Sequence, residues 1–131
     1  MKTWLKSALF SVAALASASA ANAAEERKFD AATFAAAQAA GRPVLIDVAA
    51  WWCPVCASQG RTIKAVTKGN PAYDKLLILR IDYDGQKAEW RKLGVLKQAT
   101  LIGYHGTKEV GRVAFQTNKE LIGNLLAATI K

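Results

Sequence analysis

Two stretches of this chain are apolar almost without a break. Val44-Leu45-Ile46-Asp47-Val48-Ala49 is interrupted only by Asp47, and Leu76-Leu77-Ile78-Leu79-Arg80-Ile81-Asp82 has the same character. Short, continuous runs rich in branched residues predict strands covered on both faces. Between them Pro54 to Lys68 is helix-permissive, with Ile63 and Val66 facing inward and Gly69-Asn70-Pro71 as the stop. Strand, helix and strand at this separation predict a right-handed crossover with the two strands parallel. Upstream, Asp30 reads as the N-cap of an alanine-rich helix over 31–40, with Phe29 and Phe34 at hydrophobic-staple spacing and Gly41 and Pro43 as the end. Residues 24–29 are polar and read as a short arm. Downstream, a turn through Tyr73 precedes the second strand, and Gln86 to Leu93 predicts a helix closed by Gly94. Thr100–Tyr104 and Val110–Phe115 flank His105-Gly106-Thr107-Lys108 as a hairpin. A capping box, Thr117-Asn118-Lys119-Glu120, opens a last helix with Leu121, Ile122, Leu125 and Leu126 on one face.

The first residues follow another pattern. Lys2 and Lys6 precede an apolar run from Ala8 to Ala16, and small residues end in Ala21-Asn22-Ala23. This is the layout of an export signal, with cleavage expected after Ala23. The apolar run is about half of the roughly twenty residues that span a bilayer, so no stable membrane insertion is expected after cleavage. Residues 1–23 are therefore read as a signal peptide, and 24–131 as one compact domain with a single core. The expected location is the periplasm or another exported compartment. With Lys2 and Lys6 removed, 16 of the 18 basic residues remain against 10 acidic ones. Export and the absence of a basic block exclude nucleic acid as a partner. The spread of charge reads as a solvated surface, with acidic partner proteins or an anionic membrane surface as the sharper alternative.

The only two cysteines, Cys53 and Cys56, fall where the first strand gives way to the helix. With Cys53 as N-cap and Pro54 at the first helical position, the amides of Val55 and Cys56 point back toward the Cys53 sulfur. Those donors and the helix dipole favour thiolate over thiol. A purely structural disulfide here would close a loop of about four residues, worth about 2 kcal/mol against nearly 5 for a loop of about a hundred. A structural zinc site needs about four ligands, and the chain offers two cysteines and the distant His105. A redox dithiol is the reading that remains, with no metal and no cofactor beyond the pair itself. In an oxidising compartment such a pair is either kept reduced by a redox partner or works as an oxidant.

In this order and spacing, Val44-Leu45-Ile46-Asp47, Trp52-Cys53-Pro54-Val55-Cys56, Ile81-Asp82 and Leu93-Gly94-Val95 before Thr100-Leu101 resemble the thioredoxin superfamily. The resemblance covers essentially all of 24–131. It implies an α/β, three-layer fold with a central mixed sheet flanked by helices, and thiol–disulfide exchange as the activity. Cys53 would be the exposed attacking thiol and Cys56 the buried resolving thiol. Asp47 matches the family's buried carboxylic acid, an isolated group with a raised pKa that relays a proton to and from Cys56. Trp52 would form an aromatic wall beside the sulfur, and with Pro54, Val55 and the loop Gln98-Ala99-Thr100 would contact substrate. Trp51 is an extra bulky residue, Trp90 reads as packing, His105 as a solvated turn residue, and Arg61 and Lys64 as a solvated face.

The chain departs from the family at Ala99, where a cis-proline is usual. A cis bond before alanine costs about 2.5–4 kcal/mol against about 0.5–1 before proline, so a trans peptide and a reshaped loop are expected. In the family that loop hydrogen-bonds an extended substrate and keeps metal from the sulfurs. The function implied is an exported thiol–disulfide oxidoreductase that exchanges disulfides with other exported proteins and with a separate redox partner. Reduction is the favoured direction, because Asp47 resembles the reducing members and no histidine lies between the cysteines. The alternative is a carrier of copper(I), or a dimer sharing a metal or iron–sulfur cluster through the same cysteines.

Overall fold

The computed structural model describes residues 23–131. The signal-peptide reading falls, Ala23 apart, outside the described residues. The elements are β1 (Glu25–Lys28), α1 (Ala31–Ala39), β2 (Pro43–Ala49), α2 (Pro54–Thr67), a 3-10 turn (Pro71–Tyr73), β3 (Leu77–Asp82), α3 (Lys87–Lys92), β4 (Thr100–His105), β5 (Lys108–Ala114) and α4 (Lys119–Thr129). Five strands form one sheet in the order β1-β3-β2-β4-β5. β1 and β2 run parallel to β3, whereas β4 is antiparallel to β2 and β5. The crossover expected between the two apolar runs is thus present.

β2 is buried along its whole length, and its alternate side chains serve two cores. Val44, Ile46 and Val48 pack with Leu77, Leu79, Ile81, Phe29 and Trp90 on one face. Leu45 packs with Ile78, Leu101, Ile63 of α2 and Ile122 and Leu126 of α4 on the other. Asp47 and Arg80 share the second face by alternation with Leu45 and Ile78, and the two are paired in register. The close approach of α4 depends on Gly103, where a β-carbon would collide with Thr129 Oγ1. Among the described residues no helix is long and apolar enough to cross a membrane.

The caps largely follow the sequence. Asp30 Oδ2 accepts the Thr33 N–H at 2.8 Å, and the Phe29 and Phe34 rings meet at 5.7 Å. Three expectations change. Residues 24–29 are not a free arm, because Glu25–Lys28 pair with β3 as the sheet's edge. All four side chains are exposed and charged, so no alternation marked the strand. α4 is capped by Asn118, whose Oδ1 accepts from Glu120 and Leu121, and not by Thr117. Asparagine is the stronger cap, and the inward stripe is Ile122, Leu125, Leu126 and Thr129, which leaves Leu121 exposed. His105 ends β4, half-buried, with Nδ1 3.0 Å from the Thr129 carbonyl oxygen; the turn is Gly106-Thr107, with Gly106 at φ 58°.

Candidate functional site

β2 delivers the chain to Cys53 in an extended conformation (φ −93°), and Pro54 starts α2 with a residue that lacks the N–H the first turn could not pair. The Cys53 sulfur accepts the Cys56 N–H at 3.1 Å; of the two amides expected there, only this one reaches it. Cys53 and Cys56 are joined as a disulfide with their Cα atoms 5.3 Å apart. Both residues are 3% exposed, so exposure does not distinguish attacker from resolver as the sequence implied. In this oxidised state each sulfur is engaged by the other and packed among Ala49, Ala50 and Ala99. Position separates them: Cys53 caps the helix, and Cys56 lies inside its first turn.

Asp47, on β2, lines the same groove as this pair and is buried but not isolated. Its Oδ2 accepts from Arg80 Nε at 3.3 Å and Nη2 at 3.1 Å, while Oδ1 has no partner among the described residues. Burial lifts the carboxyl above its ordinary range, and the charge and hydrogen bonds of Arg80 pull it back only in part. Asp47, Arg80, Cys53 and Cys56 all line one groove of about 1210 Å³.

The loop before β4 is reshaped, as the missing proline predicts. Among the described residues there is no cis peptide, and Ala99 adopts φ +59°. That left-handed conformation is unusual for a residue with a β-carbon. The Ala99 N–H donates to the Val48 carbonyl at 2.8 Å, and its carbonyl accepts from the Phe115 N–H at 2.8 Å and Gln59 Nε2 at 3.0 Å. Gln59 Nε2 also donates to the Gln116 carbonyl at 2.9 Å. Both backbone groups of Ala99 are therefore committed internally, and the residue is buried in one cluster with the two cysteines. Thr100 is buried, with Oγ1 donating to the Lys97 carbonyl, so of the three loop residues only Gln98 reaches solvent. Phe115, also at positive φ (54°), lies under the Lys97 ammonium at 4.0 Å.

Trp52 is half-exposed and fixed, its indole N–H donating to Asp84 Oδ2 at 2.8 Å and its ring edge-on to Tyr83. Tyr83 stacks on Trp90 at 4.9 Å, and Trp90 is core packing as expected. Trp51 is 92% exposed beside the dithiol, Pro54 is exposed, and Val55 is half-buried against the cysteines. Sequence reasoning missed Gln59, Arg80, Tyr83, Asp84 and Phe115. Gln59 carried a signal, being a polar residue on the inward stripe Cys56–Gln59–Ile63. Arg80 carried another, as the one cation inside an apolar strand. Phe115 carried none, since nothing in its neighbours announces a positive φ.

No family model matches the chain, and no curated protein matches it. Among solved structures, Trxlp from Edwardsiella tarda EIB202 is 36% identical, with 78% of this chain and 98% of that one covered and a TM-score of 0.73. Thioredoxin from Malassezia sympodialis (17% identity, 83% and 93% covered, TM-score 0.71) shares the fold. So does thioredoxin NaTrxh from Nicotiana alata (20%, 82% and 94%, TM-score 0.68). With that likeness to Trxlp over nearly its whole length, and a cysteine pair closed across the first turn of α2, the chain belongs to the thioredoxin superfamily and is a thiol–disulfide oxidoreductase.

Proposed function

We propose that the protein works as an exported reductase of disulfides in other exported proteins. The observation that carries this reading is the Asp47 carboxyl, lifted by burial, paired with Arg80 and lining the same groove as the two cysteines. In the reduced enzyme the Cys53 thiolate attacks one sulfur of a substrate disulfide, and the other leaves as a thiolate that takes a proton from solvent. Asp47 as carboxylate accepts the Cys56 proton, and a carboxylate of raised pKa is the better base for it. The Cys56 thiolate then attacks the Cys53 sulfur, breaking the mixed disulfide and releasing the second substrate thiolate. Two electrons pass to the substrate, and the enzyme is left as the Cys53–Cys56 disulfide. An external dithiol partner restores it. The pair is itself the redox group, with no added cofactor.

Export rests on Lys2, Lys6, the Ala8–Ala16 run and Ala21-Asn22-Ala23, which make residues 24–131 the working domain. Metal carriage by the same cysteines competes less well, because Ala99 is fully buried in one cluster with both cysteines and held there by three hydrogen bonds. The test is the reduction potential of the pair. A value near about −270 mV supports reduction, and one near about −120 mV would make the protein an oxidant. Fractionation of cells making the full chain, with sequencing of the new N-terminus, tests export and cleavage after Ala23.

A further inference from the structure

The groove that reaches the dithiol has a floor of small and apolar residues, including Ala49, Ala50, Ile63 and Ile78. Its rims are basic. α2 contributes Arg61 and Lys64, which its spacing puts on one face, its C-cap contributes Lys68, and β1 contributes Arg27 and Lys28. All five are exposed. Lys28, Arg61, Lys64 and Lys68 form no ion pair with any described residue. Three carboxylates, Glu26, Asp47 and Asp82, line the groove against six cations, these five and Arg80. Asp47 holds Arg80, Glu26 lies 4.0 Å from Arg80, and Asp82 accepts the Gly85 N–H at 3.1 Å. The groove is thus left with uncompensated positive charge along a wall that begins at the cysteines. From Cys56 to Lys68 the helix rises about 18 Å, which an extended chain covers in about five or six residues.

We infer that this groove receives an extended, acidic segment of the substrate polypeptide next to the disulfide being reduced. The inference rests on the exchange activity proposed above and names its substrate class: exported proteins with aspartate or glutamate flanking the reactive cysteine. An extended segment lays apolar side chains on the floor and carboxylates against the lysines, while its cysteine meets Cys53. Trp51, 92% exposed and also lining the groove, adds a broad apolar contact beside the sulfur. A lipid headgroup plane would meet the rims but neither fill a concave apolar floor nor bring a disulfide to the dithiol.

The experiment uses peptide disulfides identical except for five flanking residues, which are glutamate-rich, serine-rich or lysine-rich. Rates are taken relative to uncharged 2-hydroxyethyl disulfide, and binding of a cysteine-free glutamate-rich peptide is measured by fluorescence anisotropy. At low ionic strength the acidic substrate should exceed the neutral one in kcat/KM by about tenfold or more, with the advantage lost in high salt. In Arg61→Glu/Lys64→Glu/Lys68→Glu the preference should reverse, and in the milder Arg61→Gln/Lys64→Gln/Lys68→Gln it should vanish. No acidic preference in the parent, or a preference that survives in both variants, overturns the proposal. Tighter binding to phosphatidylglycerol vesicles than to the acidic peptide overturns it as well and assigns the rims to a membrane surface. If 2-hydroxyethyl disulfide is not reduced but the acidic peptide binds through the three cations, the groove stands and the exchange reading fails.

Discussion

Arg80 holds one oxygen of Asp47, at 3.1 Å from Nη2, and leaves the other without a partner among the described residues. The sheet brings them together because the two strands are parallel and in register at this position. The carboxyl that shares a groove with the dithiol is therefore half-satisfied: burial favours its protonated form, and Arg80 favours the carboxylate that can accept a proton.

Asp47→Asn tests this balance. The folded carboxyl holds its proton to a higher pH than the unfolded one, so the parent loses stability as pH rises from about 4 through the folded value. Asparagine does not titrate. The variant should gain on the parent over that window, by about 1.4 kcal/mol for each unit by which the pKa is raised, and match it most closely near pH 4. Release of the mixed disulfide should slow by about a hundredfold. Denaturant titrations across pH and single-turnover exchange measure the two. Unchanged exchange at neutral pH would make Asp47 structural.

Gln59→Leu keeps the bulk of a fully buried side chain and removes two donors. The Ala99 carbonyl retains the Phe115 N–H, but the Gln116 carbonyl loses the partner described here. A loss of about 1–2 kcal/mol is expected, softened because the unpartnered Oε1 goes too. With the loop released, the reduced cysteines should alkylate faster with iodoacetamide. Parent-like stability and alkylation would mean that Gln59 fixes nothing.

Ala99→Pro should not restore the family's loop. Proline requires φ near −65°, the position is at +59°, and the N–H it would remove bonds Val48. Destabilisation by about 3 kcal/mol is expected, with Ala99→Gly within about 1 kcal/mol of the parent. Urea titrations decide, and metal analysis of the reduced proteins belongs with them. Stoichiometric metal in the parent, without reductase activity, would promote the carrier reading.

Cys56→Ser should accumulate mixed disulfides through Cys53, whereas Cys53→Ser should not. Because both cysteines are equally buried when oxidised, this asymmetry must come from their places on α2. Non-reducing gels of cell extracts show it, and equal trapping by both variants would cancel the assignment of roles.

The fold was legible wherever local patterning carried it. The β2 and β3 runs were visible because burial on both faces demands unbroken apolar sequence, and the Cys53 cap because Cys-Pro at a strand end leaves little choice. β1 was not visible, since an exposed edge strand is held by backbone bonds that no side chain advertises. The site divided in the same way. The cysteine pair at the start of α2 could be read from spacing, Asp47 was singled out only by the family resemblance, and the trans loop followed from the missing proline. That Ala99 would be pinned by Gln59 and Phe115 depends on contacts between residues distant in the chain, and so does the pairing of Asp47 with Arg80.

β1 also sets how the domain comes apart. None of its side chains enters either core, so apart from its ladder with β3 it is tied down by the ion pair of Glu25 with Arg42 at 2.8 Å and by its flanking residues, Ala24 and Phe29, which pack against the two cores. Amide protons donated within that ladder should therefore exchange with deuterium long before those of β2, in an opening that leaves four strands folded. Since β1 carries Arg27 and Lys28, the same excursion would widen one wall of the groove without disturbing the helix that carries the cysteines.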